Sequence, residues 1–384
     1  MGKALALDVV VVGAGVVGLA AASALARSGR SVLVVERQDG VARETSSRNS
    51  QVIHAGIYYP PGSLKAELCT RGREMLYPWL DDHGVEARKL GKLIVARDED
   101  EWRGLETLFE RGQANGVPGL RLLEGGELKR QEPQVAGAGA LYSPETGVLD
   151  APRFALSLLA DAEAHGAVTL LHHEVVSLGR LSSGWRVSTR KAGDLSEESI
   201  ECEFVVNAAG LASDRVAALA GVDVDARGYR LHLCKGSYFL LDPGAGLALS
   251  HLVYPAPPAS ASPGGGGLGI HATPEIGGGL RFGPDAEYVS KLDLEVDDLK
   301  AGRFAEAIAG YLPGIQARWL RPDFAGIRPK LAGPGEGFRD FVVQEEREIG
   351  LPGLINCIGI ESPGLTAALA IAERVSALVA GRFA

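Results

Sequence analysis

The chain has 384 residues, a formal net charge of −9 and a pI of about 5.5, with 46% hydrophobic and 23% charged residues. That length supports two domains and a substantial core, and an acidic chain without a basic run is not built to collect on nucleic acid or an anionic membrane. Cys69, Cys202, Cys234 and Cys357 lie far apart, with no CxxC and no metal-ligand spacing, so the expectation is no metal and buried thiols in a reducing cytoplasm.

Glycine is the outlier at 51 of 384 residues, against an average of roughly 7%. Residues 8–12 (DVVVV) predict a fully buried strand, residues 16–28 a helix closed by Gly29, and residues 31–36 (SVLVVE) a second buried strand. Val9–Ala26 is apolar enough to suggest a membrane span, but it holds spaced glycines and has neither a basic flank nor a cleavage site. Strand, glycine turn, helix and strand make a βαβ unit, hence an α/β domain with a parallel sheet. Gly13, Gly15 and Gly18 form GxGxxG within it. The first glycine makes the turn, the second admits a pyrophosphate, and the third lets helix and strand pack. The anion rests on free N–H groups at the helix N-terminus, and Glu36 accepts from ribose hydroxyls. The pattern means a dinucleotide; it does not separate FAD from NAD.

Arg43–Ser50 (RETSSRNS) then supplies hydroxyls and cations suited to phosphate and flavin contacts. Residues 64–83 and 98–116 carry helical apolar spacing, and residues 226–290 alternate as antiparallel strands do (HLCKGSYFLL, GLGIHATP, GLRFGP). The Pro/Ser/Gly stretch 255–267 reads as a long hairpin loop, because strand pattern resumes on both sides. Buried strands recur at 204–210 and 354–358, the second followed by a helix over 364–380. The turn Gly359–Thr366 (GIESPGLT) offers a second helix N-terminus, whose dipole suits the pyrimidine end of a reduced, anionic flavin. The expected fold is therefore α/β with an α+β substrate part. A Rossmann-like FAD-binding domain (1–90, 150–225 and 325–384) is interrupted by an antiparallel-sheet substrate domain (91–149 and 226–324).

These residues also carry a family resemblance. The segment 44–69 (ETSSRNSQVIHAGIYYPPGSLKAELC) resembles the signature of L-2-hydroxyglutarate dehydrogenases/oxidases, within the D-amino-acid-oxidase-like flavoenzymes. The likeness continues in GKLIVA (91–96), VVNAAGLASDR (206–215), CKGSYF (234–239), FAGIRPKL (324–331) and IGIESPGLTAALAIAE (358–373). It implies a flavoprotein that oxidises L-2-hydroxyglutarate to 2-oxoglutarate by hydride transfer to flavin N5. By the same resemblance Gly13, Gly15, Gly18, Glu36, Thr45, Ser46, Asn49, Ser50, Val175, Ala208 and Gly210 bind FAD. Gly359, Ser362, Gly364, Leu365 and Thr366 do so at the flavin end. The tethering Cys that amine oxidases of the group carry near the FAGIRPKL block has no counterpart here, so FAD is expected to be non-covalent.

Hydride abstraction from a hydroxy acid needs a base, a cation for the carboxylate and a carbon held against the acceptor. A lone histidine on an apolar strand is more often part of the core, and His83, His165, His172 and His173 read as structural. The resemblance turns His271 and His54 toward the substrate, with His271 as base and His54 as ligand favoured over the reverse. Arg328, extended by Pro329, resembles the arginine that holds a substrate carboxylate in a bidentate pair. Lys330 and Lys235 are candidates for the second carboxylate of a five-carbon diacid, and Tyr58 for a cap. An electron acceptor is required, with quinone, an electron-transfer protein and oxygen all open. The expected location is the cytoplasm, with at most peripheral contact to an inner membrane. Two other readings stand beside this one: an amine or amino-acid oxidase of the same fold, and a catalytically silent flavoprotein acting as a binding module.

Overall fold

Val9, Val10 and Val11 are fully buried and Val12 is 6% exposed, which is what a strand covered on both faces requires. The computed structural model describes residues 6–258 and 269–381. The first strand, Ala6–Val12, lies parallel to Val32–Val35 on one side and to Glu197–Asn207 on the other. Val168–Leu170 extends the sheet beyond Val32–Val35, and Leu351–Ile358 runs parallel to the C-terminal end of Glu197–Asn207. An antiparallel hairpin, His173–Arg180 with Trp185–Lys191, and the edge strand Val342–Glu346 complete eight strands.

Helices Val16–Arg27, Ala151–Ala164 and Gly364–Val379 share one core with this sheet. The alanines at 20–22 and 367–368 are buried there, and small side chains let the helices approach closely. Helix Ser213–Leu219 and the hairpin form a second core around the fully buried Trp185.

The second sheet has nine strands, mostly antiparallel. His232–Leu241 is its axis, flanked on one side by Leu320–Lys330 and on the other by Leu280–Phe282 and Glu287–Tyr288. Ala272–Pro274, Leu252–Pro255, Lys92–Ala96, Gly139–Ser143 and Arg121–Glu124 continue it. Every residue of Lys92–Ala96 is buried, the lysine included.

Helices Leu64–Asp82 and Glu99–Ala114 form where helical spacing predicts them, N-capped by Ser63 and Asp98. Leu252–Pro255 and Ala272–Pro274 pair antiparallel, and residues 259–268 of the connection between them lie outside the described residues. Three sequence expectations need correction. The strand read over 267–274 begins only at Ala272, so His271 directly precedes it, and residues 267 and 268 lie outside the described residues. The boundary expected at 324/325 falls inside Leu320–Lys330, because that strand is held along its length by His232–Leu241. The boundary at 149/150 ends a strand, Gly147–Leu149, whose partners Val52–Ile53 and Ala87–Arg88 lie in the segment assigned to the other domain.

Candidate active site

Two open spaces, of about 1290 Å³ and about 1350 Å³, meet at the N-terminus of helix Val16–Arg27. Gly15, Thr45, Ser46, Ala208 and Gly210 line both. The result is one groove that runs past the helix end, with a space on either side of it.

Its geometry at the shared point follows from the glycines. Gly13 has φ +101°, and a Cβ on Gly18 would lie 2.0 Å from the Gly13 carbonyl oxygen, so a side chain at either position would break the turn. Ser46 Oγ accepts from Val16 N–H at 3.0 Å. Glu36 accepts from Ala14 N–H and Gln38 N–H, both at 2.8 Å, which fixes its carboxylate at the mouth of one space. Val175 lines that space as well. Asn49 closes its own loop by donating to the Ser46 carbonyl at 2.8 Å and accepting from Gln51 N–H at 2.8 Å. A helix N-terminus with this cradle accepts a pyrophosphate, so the residues present fit FAD.

The other space gathers His54, Arg328, His271, Tyr238 and Tyr254 with the turn Ile360–Leu365. Arg328 is held by three backbone carbonyls: its guanidinium donates to Asp285 at 2.6 Å, Lys235 at 3.2 Å and Cys234 at 3.4 Å. Gly236 makes this possible, since a Cβ there would lie 3.1 Å from the guanidinium nitrogen. Arginine's five donors leave part of the fork for a carboxylate in the cavity.

His271 is 5% exposed and stacks on Tyr254, with ring centroids 3.9 Å apart and planes 14° apart. Burial pushes it down to about 3; the Gly269 carbonyl pulls the other way, and Lys92 and Arg328 add smaller downward effects. Its Nδ1 lies 3.3 Å from that carbonyl. A proton on Nδ1 satisfies the contact and leaves the Nε2 lone pair as acceptor. Burial, then Lys92 and His271, likewise hold His54 well below its ordinary value. Its ring is 3.3 Å from Ser362 Oγ, and its backbone N–H donates to Thr366 Oγ1 at 3.0 Å. Both imidazoles are thus neutral, the form that can take a proton.

Most of the sequence-derived residues line the groove, but several do not. Tyr58 lines neither space: its buried hydroxyl has no hydrogen-bond partner among the described residues and its ring faces Lys92, so it does not cap the cavity. Lys235 is buried and paired with Asp293 at 2.6 Å, away from the lining. Lys330 shares Glu361 with Lys65, at 3.3 Å and 3.0 Å. It reaches the cavity only through that carboxylate. Thr366 is buried, and its Oγ1 accepts from His54 N–H and donates to the Val52 carbonyl at 3.3 Å, so it holds the His54 backbone and lines neither space. Gly18 packs inside the turn and Gly359 against Leu331. Cys357, read as a buried small residue, is 2% exposed in the first core and also lines the cavity, and burial pushes its thiol up to about 12. His83 and His165 end helices, as their positions before glycine predict.

Sequence reasoning missed Lys92, Tyr254, Tyr238, Lys65 and Glu361. Lys92 had a signal, a lone lysine in the apolar run KLIVA. Glu361 lay inside the glycine turn but was read as turn alone. Burial opposes its ionisation, yet Lys65 and Lys330 outweigh that and hold it below the usual carboxylate range.

Among the described residues no cluster could hold a metal ion, and no helix is long and apolar enough to cross a membrane. Residues 8–378 match the model of the FAD dependent oxidoreductase family. The mitochondrial L-2-hydroxyglutarate dehydrogenase of Arabidopsis thaliana is 40% identical over 410 aligned residues, covering 96% of this chain and 83% of that protein. The glycerol 3-phosphate dehydrogenase of Caloramator mitchellensis is 30% identical, covering 95% of this chain and 72% of that protein. Among solved structures, the dithionite-reduced L-alpha-glycerophosphate oxidase of Mycoplasma pneumoniae with FAD bound superposes with a TM-score of 0.84 at 25% identity, over 98% of this chain and 95% of that one. With the groove at the helix end and a family match over nearly the whole chain, this protein belongs to the FAD-dependent oxidoreductases.

Proposed function

We propose that the chain oxidises L-2-hydroxyglutarate to 2-oxoglutarate. The observation that carries this reading is one cavity holding two neutral histidines beside an arginine whose guanidinium is pre-oriented by backbone carbonyls. The relative from Arabidopsis thaliana supports the substrate.

Gly13, Gly15, Glu36, Thr45, Ser46 and the Ala208–Gly210 backbone would hold FAD, with Ser362, Gly364 and Leu365 at its reacting end. When bound, FAD supplies the hydride acceptor, and the absence of a cysteine from the 324–331 block fits non-covalent binding. Arg328 binds the carboxylate next to the hydroxyl. His271 Nε2 takes the hydroxyl proton, and His54, held by Ser362, orients the substrate. Glu361 lines the cavity with Lys65 and Lys330 paired to it from behind, a trio of one net positive formal charge, and we assign the second carboxylate to the neighbourhood of that trio in place of a free lysine. The first sheet then serves the cofactor and the second the substrate. Turnover requires an electron acceptor, and assays with quinone, an electron-transfer protein and oxygen identify its class.

The test is anaerobic titration of the FAD-loaded protein. L-2-Hydroxyglutarate should bleach the flavin absorbance and yield 2-oxoglutarate, while the D-form and lactate bleach it poorly. Equal bleaching by glycine or a D-amino acid would support an amino-acid oxidase. Preferential bleaching by glycerol 3-phosphate would move the substrate to a phosphate ester. No bleaching by any of them would leave the silent flavoprotein.

A further inference from the structure

Lys92 is 1% exposed, in the middle of the second sheet. Its Nζ lies 4.5 Å from the Tyr254 ring centroid and 4.8 Å from that of Tyr58. Among the described residues it makes no hydrogen bond or ion pair, so two aromatic faces are its main stabilisation. Neither phenol hydroxyl finds a hydrogen-bond partner among the described residues, so neither helps it. Tyr254 presents its ring to His271 as well as to the amine. A buried amine without a counter-ion is costly, and nothing in the packing of an apolar strand calls for one.

We propose that Lys92 is a positioning residue of the active site: caged by Tyr58 and Tyr254 behind the cavity wall, it sets by its charge how strongly His271 and His54 can hold a proton. The proposal rests on the function proposed above. Among the described residues, the titratable and charged groups facing Lys92 are Tyr58, Tyr254, His54, His271 and Cys69, those facing His271 are Tyr254, Lys92, Arg328 and His54, and those facing His54 are Lys92 and His271. Among these Lys92 is the one that titrates near neutrality: burial pulls it down to about 7, while both histidines stay neutral and Cys69 is pushed up to about 12. Below that pH its charge opposes an imidazolium and weakens the base. Above it the opposition is gone and the base strengthens.

Flavin reduction by L-2-hydroxyglutarate in the FAD-loaded protein, followed by anaerobic stopped flow, should therefore rise about 3- to 10-fold between pH 6 and pH 8. That rise belongs to the lysine. Lys92→Met should be flat across the range at the upper level, and Lys92→Arg, charged throughout, flat at the lower level. Flat profiles of opposite level are not the result of mere structural damage. A rise that persists unchanged in both variants would overturn the proposal. A histidine-labelled NMR titration of the FAD-loaded parent protein gives a second readout that needs no substrate. The His54 and His271 signals should shift with a midpoint near pH 7 while remaining those of neutral rings, and Lys92→Met should abolish the shift. If these signals show no such midpoint, Lys92 does not act on the histidines, whatever the substrate is. If they do and L-2-hydroxyglutarate fails to bleach the flavin, the substrate assignment fails and the role of Lys92 stands.

Discussion

The two ends of the groove are built by opposite means. At the helix end the work is done by backbone: glycines without side chains, and main-chain N–H groups that fix Glu36 through Ala14 and Gln38 and Ser46 through Val16. Its core comes from residues 13–46, close in sequence. At the reacting end the work is done by side chains from distant segments: His54, Lys92, Tyr254, His271, Arg328 and Glu361. All are charged or titratable and most are shielded from water, and charge acts between them: Lys92 on both histidines, Lys65 and Lys330 on Glu361. Damage at the first end should thus be a loss of cofactor, and damage at the second a change in rate, substrate affinity or pH dependence.

The largest expected effect falls at the reacting end. His271→Ala should slow flavin reduction by roughly 10²- to 10⁴-fold at saturating substrate, with FAD content unchanged. His54→Ala should weaken substrate binding more than rate. If stopped-flow reduction gives the parent rate for His271→Ala and a slow one for His54→Ala, the two roles are exchanged.

Arg328→Lys comes next. It keeps a charge but loses both the fork and the bonds to the three carbonyls. Losing a charge-assisted bond should weaken substrate binding by about 2 kcal/mol, a factor of about 30, again with full FAD content. A simultaneous loss of FAD would show that the two ends are less separable than the geometry implies.

Acid should expose the same buried chemistry in stability. His271 is held at about 3 in the folded chain, against about 6.5 unfolded. Between those values the unfolded chain binds the extra proton, so stability rises with pH across the window and is lost as pH falls below 6.5. At pH 5 the loss should be about 2 kcal/mol from this residue. Urea unfolding of the FAD-loaded protein at pH 5 and pH 7 should show a difference smaller by about that amount in His271→Asn. An unchanged difference would mean that other groups dominate acid sensitivity.

The smallest effect belongs to the helix end. Glu36→Gln keeps the shape and loses the charge, so FAD should bind about 10-fold more weakly. The loaded fraction should be reduced by substrate at the parent rate. A slower reduction in fully loaded protein would couple the ends directly.

What the sequence by itself determined was the first βαβ unit, the glycine turn with Glu36, the two capped helices and the strands around His232–Leu241. In each case the determinant is local: a β-branched run, a glycine spacing, a cap or a period of two or four residues. It also brought His54, His271 and Arg328 forward through a resemblance that runs along most of the chain. Tertiary structure alone decided the partners of charge. Lys235 and Lys330 looked like free anchors until the fold supplied Asp293 and Glu361, the latter from 31 residues away. Lys92 was one lysine in an apolar strand until pairing with Leu252–Pro255 placed Tyr254 over its amine, with His271 stacked on the same ring. Electrostatics acts through space across segments that the chain order keeps apart, so the charge state of a buried group cannot be read from its neighbours in sequence.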